Sequence, residues 1–187
     1  MPDAAAREAT RRRDDARELL SGFRAGEPAE EGHRQKMLSL LLGPDDPFAR
    51  DSVRDGHFTA SAFVVHDGHL LLIWHRKLLR WLQPGGHVDP EDEDLQAAAT
   101  RELREETGVT GARCVRLLDV DVHPIPANPK RGEPAHRHHD VRFLFEASSH
   151  EAVAGSDAGE VKWVRFADVD AELTDASVVR AVAKLPR

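Results

Sequence analysis

Three glutamates on one face of a predicted helix constrain this chain more than any other feature of its sequence. The helical pattern runs from Asp94 to Thr107, and Glu102, Glu105 and Glu106 occupy positions i, i+3 and i+4 within it. This spacing places the three carboxylates within an arc of roughly 100°. Repulsion between such neighbours costs roughly 0.2–0.5 kcal/mol per pair unless a cation lies among them. Taken alone, such a run is typical of a solvated acidic face, so its surroundings decide the interpretation.

The residues on either side of this helix favour a site that binds a divalent cation. Pro84-Gly85-Gly86 precedes it, and two adjacent glycines permit a close approach to the backbone. The stretch from Gly86 to Val109 resembles the Nudix box, in which a glycine and a spaced glutamate precede R-E-U-x-E-E-x-G-U, where U is aliphatic. Arg101 to Val109 matches the second half of that pattern at every fixed position. By this resemblance the chain is identified as a member of the Nudix hydrolase family.

The first half of the box is one residue longer than the common form of the motif. The usual pattern has five residues between the glycine and the first glutamate, and seven between that glutamate and the arginine. Asp92 satisfies the first spacing and Glu93 the second. In the family this first acid chiefly ties the loop to the helix, so either residue is a candidate for structural support. Arg101 resembles a residue that orients carboxylates through bidentate hydrogen bonds.

The resemblance implies an α/β (α+β) fold, a Nudix-type α/β/α sandwich with a mixed sheet. It extends loosely over residues 57–166, and we expect a Nudix domain over 46–187 after an N-terminal helical extension over 1–45. Residues 1–27 offer little to bury, so this arm is expected to be helical but loosely attached. Pattern alone predicts the remaining elements. They are a helix over 30–42, a hairpin of strands 59–65 and 70–74 joined through Asp67-Gly68, strands over 114–122, 141–147 and 161–166, and a helix capped by Thr174 and ending near Leu185.

The resemblance also implies a reaction, in which water cuts the diphosphate linkage of a nucleoside diphosphate joined to another group. Glu102 and Glu106 would be the principal ligands of Mg²⁺ or Mn²⁺, Glu105 a further ligand or a partner held through water, and the Gly86 carbonyl a backbone ligand. The three glutamates are therefore the candidate catalytic residues. A general base would come from Glu102, Glu105 or a downstream acid. The candidates for that downstream acid are Asp157 and Glu160, although an acidic surface loop is an equally good reading.

Two alternatives share the resemblance. An isopentenyl-diphosphate isomerase would rely on a cysteine, but Cys114 lies in an apolar strand pattern typical of a buried structural thiol. A non-catalytic nucleotide-sensing module would usually lack the glutamates, and all three are present. Hydrolysis is therefore the favoured reading.

Substrate contacts are expected from the proline-rich segment 124–134, which lies between the predicted strands 114–122 and 141–147. This segment carries Lys130 and Arg131. Arg142 and His139 are further candidates. Zinc binding by the run His136, His138 and His139, with His123 across the proline-rich segment, is disfavoured. Neighbouring residues of a strand point to opposite faces, so the members of the run cannot all converge.

Composition narrows the class of partner. The 187-residue chain has a formal net charge of −7, which disfavours nonspecific nucleic-acid binding and favours a small anionic nucleotide-type substrate held through a metal. A single cysteine fits a reducing compartment, so a cytoplasmic location is expected, and no apolar run approaches membrane-spanning length. The apolar stripe of the 30–42 helix is compatible with packing on the main domain or with a homodimer.

Overall fold

The computed structural model describes residues 4–155 and 159–185, and of Ala4 to Ala6 and Arg131 it describes the backbone. Within these ranges the fold is α+β, as the resemblance implied, with a seven-stranded sheet and helices that include two at the N-terminus. The helices are α1 (Ala4–Gly22), α2 (Pro28–Leu41), α3 (Leu95–Thr107) and α4 (Ala176–Val182). The strands are β1 (His57–His66), β2 (His69–His75), β3 (Arg80–Leu82), β4 (Gly85–His87), β5 (Arg113–Ile125), β6 (His136–Glu146) and β7 (Val161–Arg165).

Hydrogen bonds connect the strands in the order β3-β2-β1-β6-β5, with β4 beside β1 and β7 beside β2. The predicted hairpin is confirmed: β1 and β2 are antiparallel and pair His66 with His69. Its turn residues Asp67 and Gly68 both have positive φ, 45° and 71°, which explains why this pair of residue types occupies the turn. Strand β2 also runs antiparallel to β7 and β3, which pair with its first and last residues respectively.

The chain divides into two compact units that do not follow the predicted boundary at residue 45. The first contains residues 1–60, 87–98 and 119–141, and the second contains 61–86, 99–118 and 142–187. The expected division into an extension and a Nudix domain stays a prediction.

In the first unit, the N-terminal arm is anchored, so the expectation of loose attachment was wrong. Ala16 and Leu20 of α1 are buried. Arg12 lies over the Phe48 ring, 4.8 Å from its centroid, and Arg13 donates a 2.7 Å hydrogen bond to the carbonyl of Leu41. Arginine side chains, which the sequence pattern indicates to be solvated, supply these contacts. Their aliphatic stems pack against apolar groups, and their guanidinium groups donate hydrogen bonds.

In the second unit, an apolar core forms around α4 and the strands that surround it. Asp175 caps this helix by accepting a hydrogen bond from the Ser177 N–H, so the prediction of Thr174 as the cap was wrong by one residue. Thr174 is buried and its hydroxyl donates instead to the Trp81 carbonyl. The buried apolar residues of this core are Phe63, Val65, Leu70, Leu72, Leu118, Leu144, Val164, Val169, Val178, Ala181 and Leu185.

The strands differ from their predicted limits next to glycine and proline residues, which the sequence pattern assigns to turns and loops. Strand β6 begins at His136, five residues before the predicted start, so the proline-rich segment is shorter than expected and contains a 3-10 turn at Pro129–Arg131. Strands β3 and β4 were not predicted, because three-residue strands carry too little alternation to be recognised. Helix α3 ends as predicted, with Gly108 at a φ of 66°.

Candidate functional site

The site begins where β4 meets the middle of α3. A Cβ atom at Gly86 would lie 2.5 Å from Oε1 of Glu102 and 2.7 Å from its Cδ. These distances are shorter than a Cβ atom normally reaches, so this carboxylate occupies the space that a side chain at residue 86 would need. The glycine pair therefore serves a close approach between the strand backbone and the first helix glutamate.

The second principal glutamate is tied to the same strand. The backbone N–H of Gly85 donates a 2.8 Å hydrogen bond to Oε2 of Glu106. Consecutive glycines of β4 thus contact Glu102 and Glu106, which stand one turn apart on α3. Two of the three predicted glutamate ligands are brought together beside one backbone segment.

Arg101 joins the remaining carboxylate to this arrangement. Its Nη1 donates to Oε1 of Glu102 at 2.9 Å and to Oε2 of Glu105 at 3.2 Å. Arg101 and Glu102 are largely buried, whereas the Glu105 side chain is 51% exposed. The guanidinium offsets part of the repulsion between these acids and fixes the orientation of Glu102. The predicted orienting role of Arg101 agrees with this geometry.

A backbone segment far from the box supports the C-terminal end of α3, and sequence reasoning missed it. The N–H groups of Val153 and Gly155 donate 2.8 Å hydrogen bonds to the carbonyls of Thr107 and Glu106. A Cβ at Gly155 would overlap the Glu105 carbonyl oxygen. This segment satisfies carbonyls that the helix end leaves unpaired, and only its glycine allows so close a contact.

The same segment leads to the two candidates for the downstream acid. Glu160 is exposed, and its carbonyl accepts a 2.8 Å hydrogen bond from the N–H of Trp74 in β2. Asp157 lies outside the described residues. Residues 153–155, which support α3, come shortly before Glu160 in the sequence.

Of the two candidate supporting acids, Asp92 has the structural contact. It is buried, and its Oδ2 accepts a 2.8 Å hydrogen bond from the N–H of Asp89. Glu93 is exposed, and its backbone carbonyl accepts a hydrogen bond from Arg11. The carbonyl of Asp89 likewise accepts a hydrogen bond from Arg12. Helix α1 therefore contacts the loop before α3, which is one residue longer than the common form of the motif.

The predicted substrate contacts fall in different environments. Arg142 is buried and donates to the carbonyl and hydroxyl of Ser177, which suits a packing role rather than contact with a substrate. His139 is also buried, its Nε2 lies 3.0 Å from the Asp55 carbonyl, and burial lowers its pKa to about 4. Lys130 is exposed in the 3-10 turn. Nothing is described of the Arg131 side chain.

Histidine rings form a cluster in the first unit that the sequence did not reveal. His57, His87 and His138 contribute one ring nitrogen each to a group in which all three atoms lie within 4.8 Å of one another. His136 and His138 share a face of β6, and His139 points away from them, as strand alternation requires. The prediction that the run could not converge as a whole agrees with this; the partners from β1 and β4 were not foreseen. Burial and the neighbouring rings lower the pKa of His138 to about 2.

Comparison with known proteins identifies the family. Residues 56–183 match the NUDIX domain. The chain therefore belongs to the Nudix family and is a hydrolase of diphosphate linkages that works with a divalent metal ion.

Its relatives agree with this assignment. A Lactococcus lactis subsp. cremoris protein named "Probable DHNTP pyrophosphohydrolase" is 37% identical over 136 residues, which are 72% of this chain and 81% of that protein. A MutT NUDIX hydrolase from Burkholderia pseudomallei has 28% identity and a TM-score of 0.51, covering 69% of this chain and 97% of its own. The E. coli dihydroneopterin triphosphate pyrophosphohydrolase shares the fold, with 18% identity and a TM-score of 0.57 over 68% of this chain and 93% of that chain.

The helices were compared with the length and apolar character of a membrane span. None of those in the described ranges combines the length and apolar character needed to cross a bilayer.

Proposed function

We propose that Glu102, Glu105 and Glu106 hold Mg²⁺ or Mn²⁺ and that the protein cuts an organic triphosphate between its α- and β-phosphates. The observation that carries this proposal is that Glu106 accepts a hydrogen bond from the Gly85 N–H while the Glu102 carboxylate lies against Gly86. Carboxylates held at fixed positions are hard oxygen ligands, and Mg²⁺ and Mn²⁺ prefer these to nitrogen or sulfur.

The residues around the Gly85-Gly86 pair fit such an ion. Three acids share one helix face, and Arg101 bridges two of them with its Nη1. A divalent cation would offset the repulsion that remains. When bound, it would neutralise charge on the phosphoryl oxygens and activate a water molecule.

The chain's own groups would then have separate tasks. Gly85 would hold Glu106 through its N–H, and Arg101 would hold Glu102, so that both carboxylates keep their orientation as substrate arrives. The Gly86 carbonyl is a further candidate ligand. Glu105, the most exposed of the three acids, or Glu160 would accept the proton from the attacking water.

The proposed substrate class rests on a relative that this chain matches over most of its length. A protein 37% identical over most of its length is named as a pyrophosphohydrolase of DHNTP, a pterin triphosphate. We therefore place dihydroneopterin triphosphate first, followed by nucleoside triphosphates. Hydrolysis would add water across the α–β anhydride bond and release a monophosphate and pyrophosphate.

The test is a substrate panel with purified protein and Mg²⁺. Dihydroneopterin triphosphate, nucleoside triphosphates, ADP-ribose and nucleotide sugars would be incubated separately, and pyrophosphate and monophosphate products would be quantified. We expect pyrophosphate from a triphosphate, abolished by EDTA and supported better by Mg²⁺ or Mn²⁺ than by Zn²⁺. Full turnover in EDTA after metal removal would contradict the metal assignment. Orthophosphate as the first product would contradict the α–β cut, and binding without turnover would indicate a sensing module.

A further inference from the structure

Five histidines from separate stretches of the chain meet in the first unit. His57 opens β1, His87 ends β4 and His138 lies in β6, with His136 and His123 beside them. The ring centroids of His57 lie 5.0–5.1 Å from those of His87, His136 and His138. His123 is 5.6 Å from His138 by the same measure. Neutral imidazole is the side-chain group that most often binds transition metals.

His57 has a ring nitrogen prepared to bind a ligand. Its side chain is fully buried, and Nδ1 lies 3.1 Å from the carbonyl oxygen of Ser52. A carbonyl oxygen only accepts, so Nδ1 carries the proton and Nε2 carries the lone pair. That Nε2 is buried and has no hydrogen-bond partner. An unsatisfied buried acceptor is costly, which is a reason to expect a ligand there.

Two further histidines of the cluster, His136 and His123, are held in a comparable way. Nδ1 of His136 lies 2.9 Å from the Pro134 carbonyl, so its Nε2 also carries the lone pair. Nδ1 of His123 lies 3.0 Å from Oδ2 of Asp121. A backbone carbonyl or carboxylate that fixes one ring nitrogen is the usual support of a histidine that binds metal through the other.

From these contacts we infer that His57, His87 and His138 form a transition-metal site, with Zn²⁺ as its first candidate ion and His136 placed to be a fourth ligand. Bonds of roughly 2.0–2.1 Å would separate the nitrogens of tetrahedral zinc by roughly 3.4 Å. The three candidate atoms already lie within 4.8 Å of one another. Rotation of the half-buried His87 and His138 rings would supply the remaining movement. This site is separate in chemistry from the carboxylates, because its donors are nitrogens that select zinc over magnesium.

The test is zinc binding by untagged, metal-free protein, since a histidine tag would itself bind zinc. Affinity would be measured by competition with a chromophoric chelator in millimolar Mg²⁺, and ligand type by the visible spectrum of the Co²⁺-loaded protein. We expect one tightly bound Zn²⁺ that Mg²⁺ does not displace. His138→Gln and His87→Gln should each weaken binding by more than about a hundredfold, since losing a supporting residue alone costs about 10–100-fold.

Two controls separate this site from other zinc ligands. His150→Gln removes an exposed histidine that packs on Trp163 in the second unit, and it should bind zinc as the unaltered protein does. Glu106→Gln should also keep its zinc affinity, because the carboxylates are not the ligands. Circular dichroism would establish that each variant is folded, and the half-buried positions are chosen over the fully buried His57 for that reason. Absence of tight zinc binding, unchanged affinity in both histidine variants, or loss of zinc in Glu106→Gln would each overturn the inference.

Discussion

Glu102 and Gly86 are in such close contact that the carboxylate of one fills the side-chain space of the other. A Gly86→Ala substitution must therefore move the Glu102 carboxylate by about 1 Å to restore an ordinary contact. We expect kcat/KM to fall on the order of a hundredfold, as misplacement by about 1 Å can cause. The displaced group is the end of a side chain, so the melting temperature without metal should stay nearly constant. Gly32→Ala, where nothing lies within 4 Å, is the matched control.

The helix carboxylates and the loop acids should separate by role. Glu102→Gln and Glu106→Gln keep size and hydrogen bonding but remove a charge from the proposed metal site. We expect kcat at saturating Mg²⁺ to fall on the order of a thousandfold for each. Asp92→Ala and Glu93→Ala should lose little rate, although Asp92→Ala should destabilise the loop by about 1 kcal/mol. Near-normal turnover in Glu106→Gln together with an inactive, folded Glu93→Ala would show that the metal ligands are wrongly assigned.

Gly155→Ala should damage the site from a distance. An added methyl group meets the backbone carbonyl of Glu105, which cannot rotate away, so the 153–155 segment must shift. We expect the free energy of unfolding to fall by about 1–3 kcal/mol, as overpacking does, with a loss of kcat. Val153→Ala changes a side chain that is 74% exposed and serves as the control. Equal stability of the two variants would mean that the segment does not support α3.

The lysine and arginine of the 3-10 turn remain candidate contacts with the distal part of an anionic substrate. Lys130→Ala combined with Arg131→Ala should raise KM more than it lowers kcat, since these cations would contribute to binding rather than to the chemical step. Steady-state kinetics on the best substrate of the panel would measure both constants. If neither constant changes, this segment is only a connector.

Arg142 is expected to act on stability rather than on substrate binding. Arg142→Ala removes the guanidinium that donates hydrogen bonds to the carbonyl and the hydroxyl of Ser177 in α4. The melting temperature should fall, in line with roughly 1.5–3 kcal/mol for hydrogen bonds to a charged group, while KM stays constant. A rise in KM at unchanged stability would instead support the prediction that Arg142 contacts the substrate.

The parts of the site that sequence predicted are those that depend on neighbours along the chain. Glu102, Glu105 and Glu106 share a face because of helix geometry alone, and the turn at Asp67-Gly68 follows from backbone conformation. The histidine cluster could not be predicted, because His57, His87 and His138 come from three strands whose pairing is long-range. The support of α3 by Gly155 is also long-range: the glycine is visible in the sequence, but the sequence does not show that it contacts the Glu105 carbonyl, which lies far earlier in the chain. Arg142 was predicted to contact the substrate because a buried guanidinium and a substrate-binding one look alike in sequence.

The arginines of α1 also set a limit on exchange between relatives. Arg11 and Arg12 reach the carbonyls of Glu93 and Asp89, at the two ends of the longer loop between the glycine pair and α3. A loop of the common length, transplanted from another family member, would shift at least one of those carbonyls out of reach. The length of this loop and the contacts made by α1 therefore depend on each other and would have to be kept or replaced together.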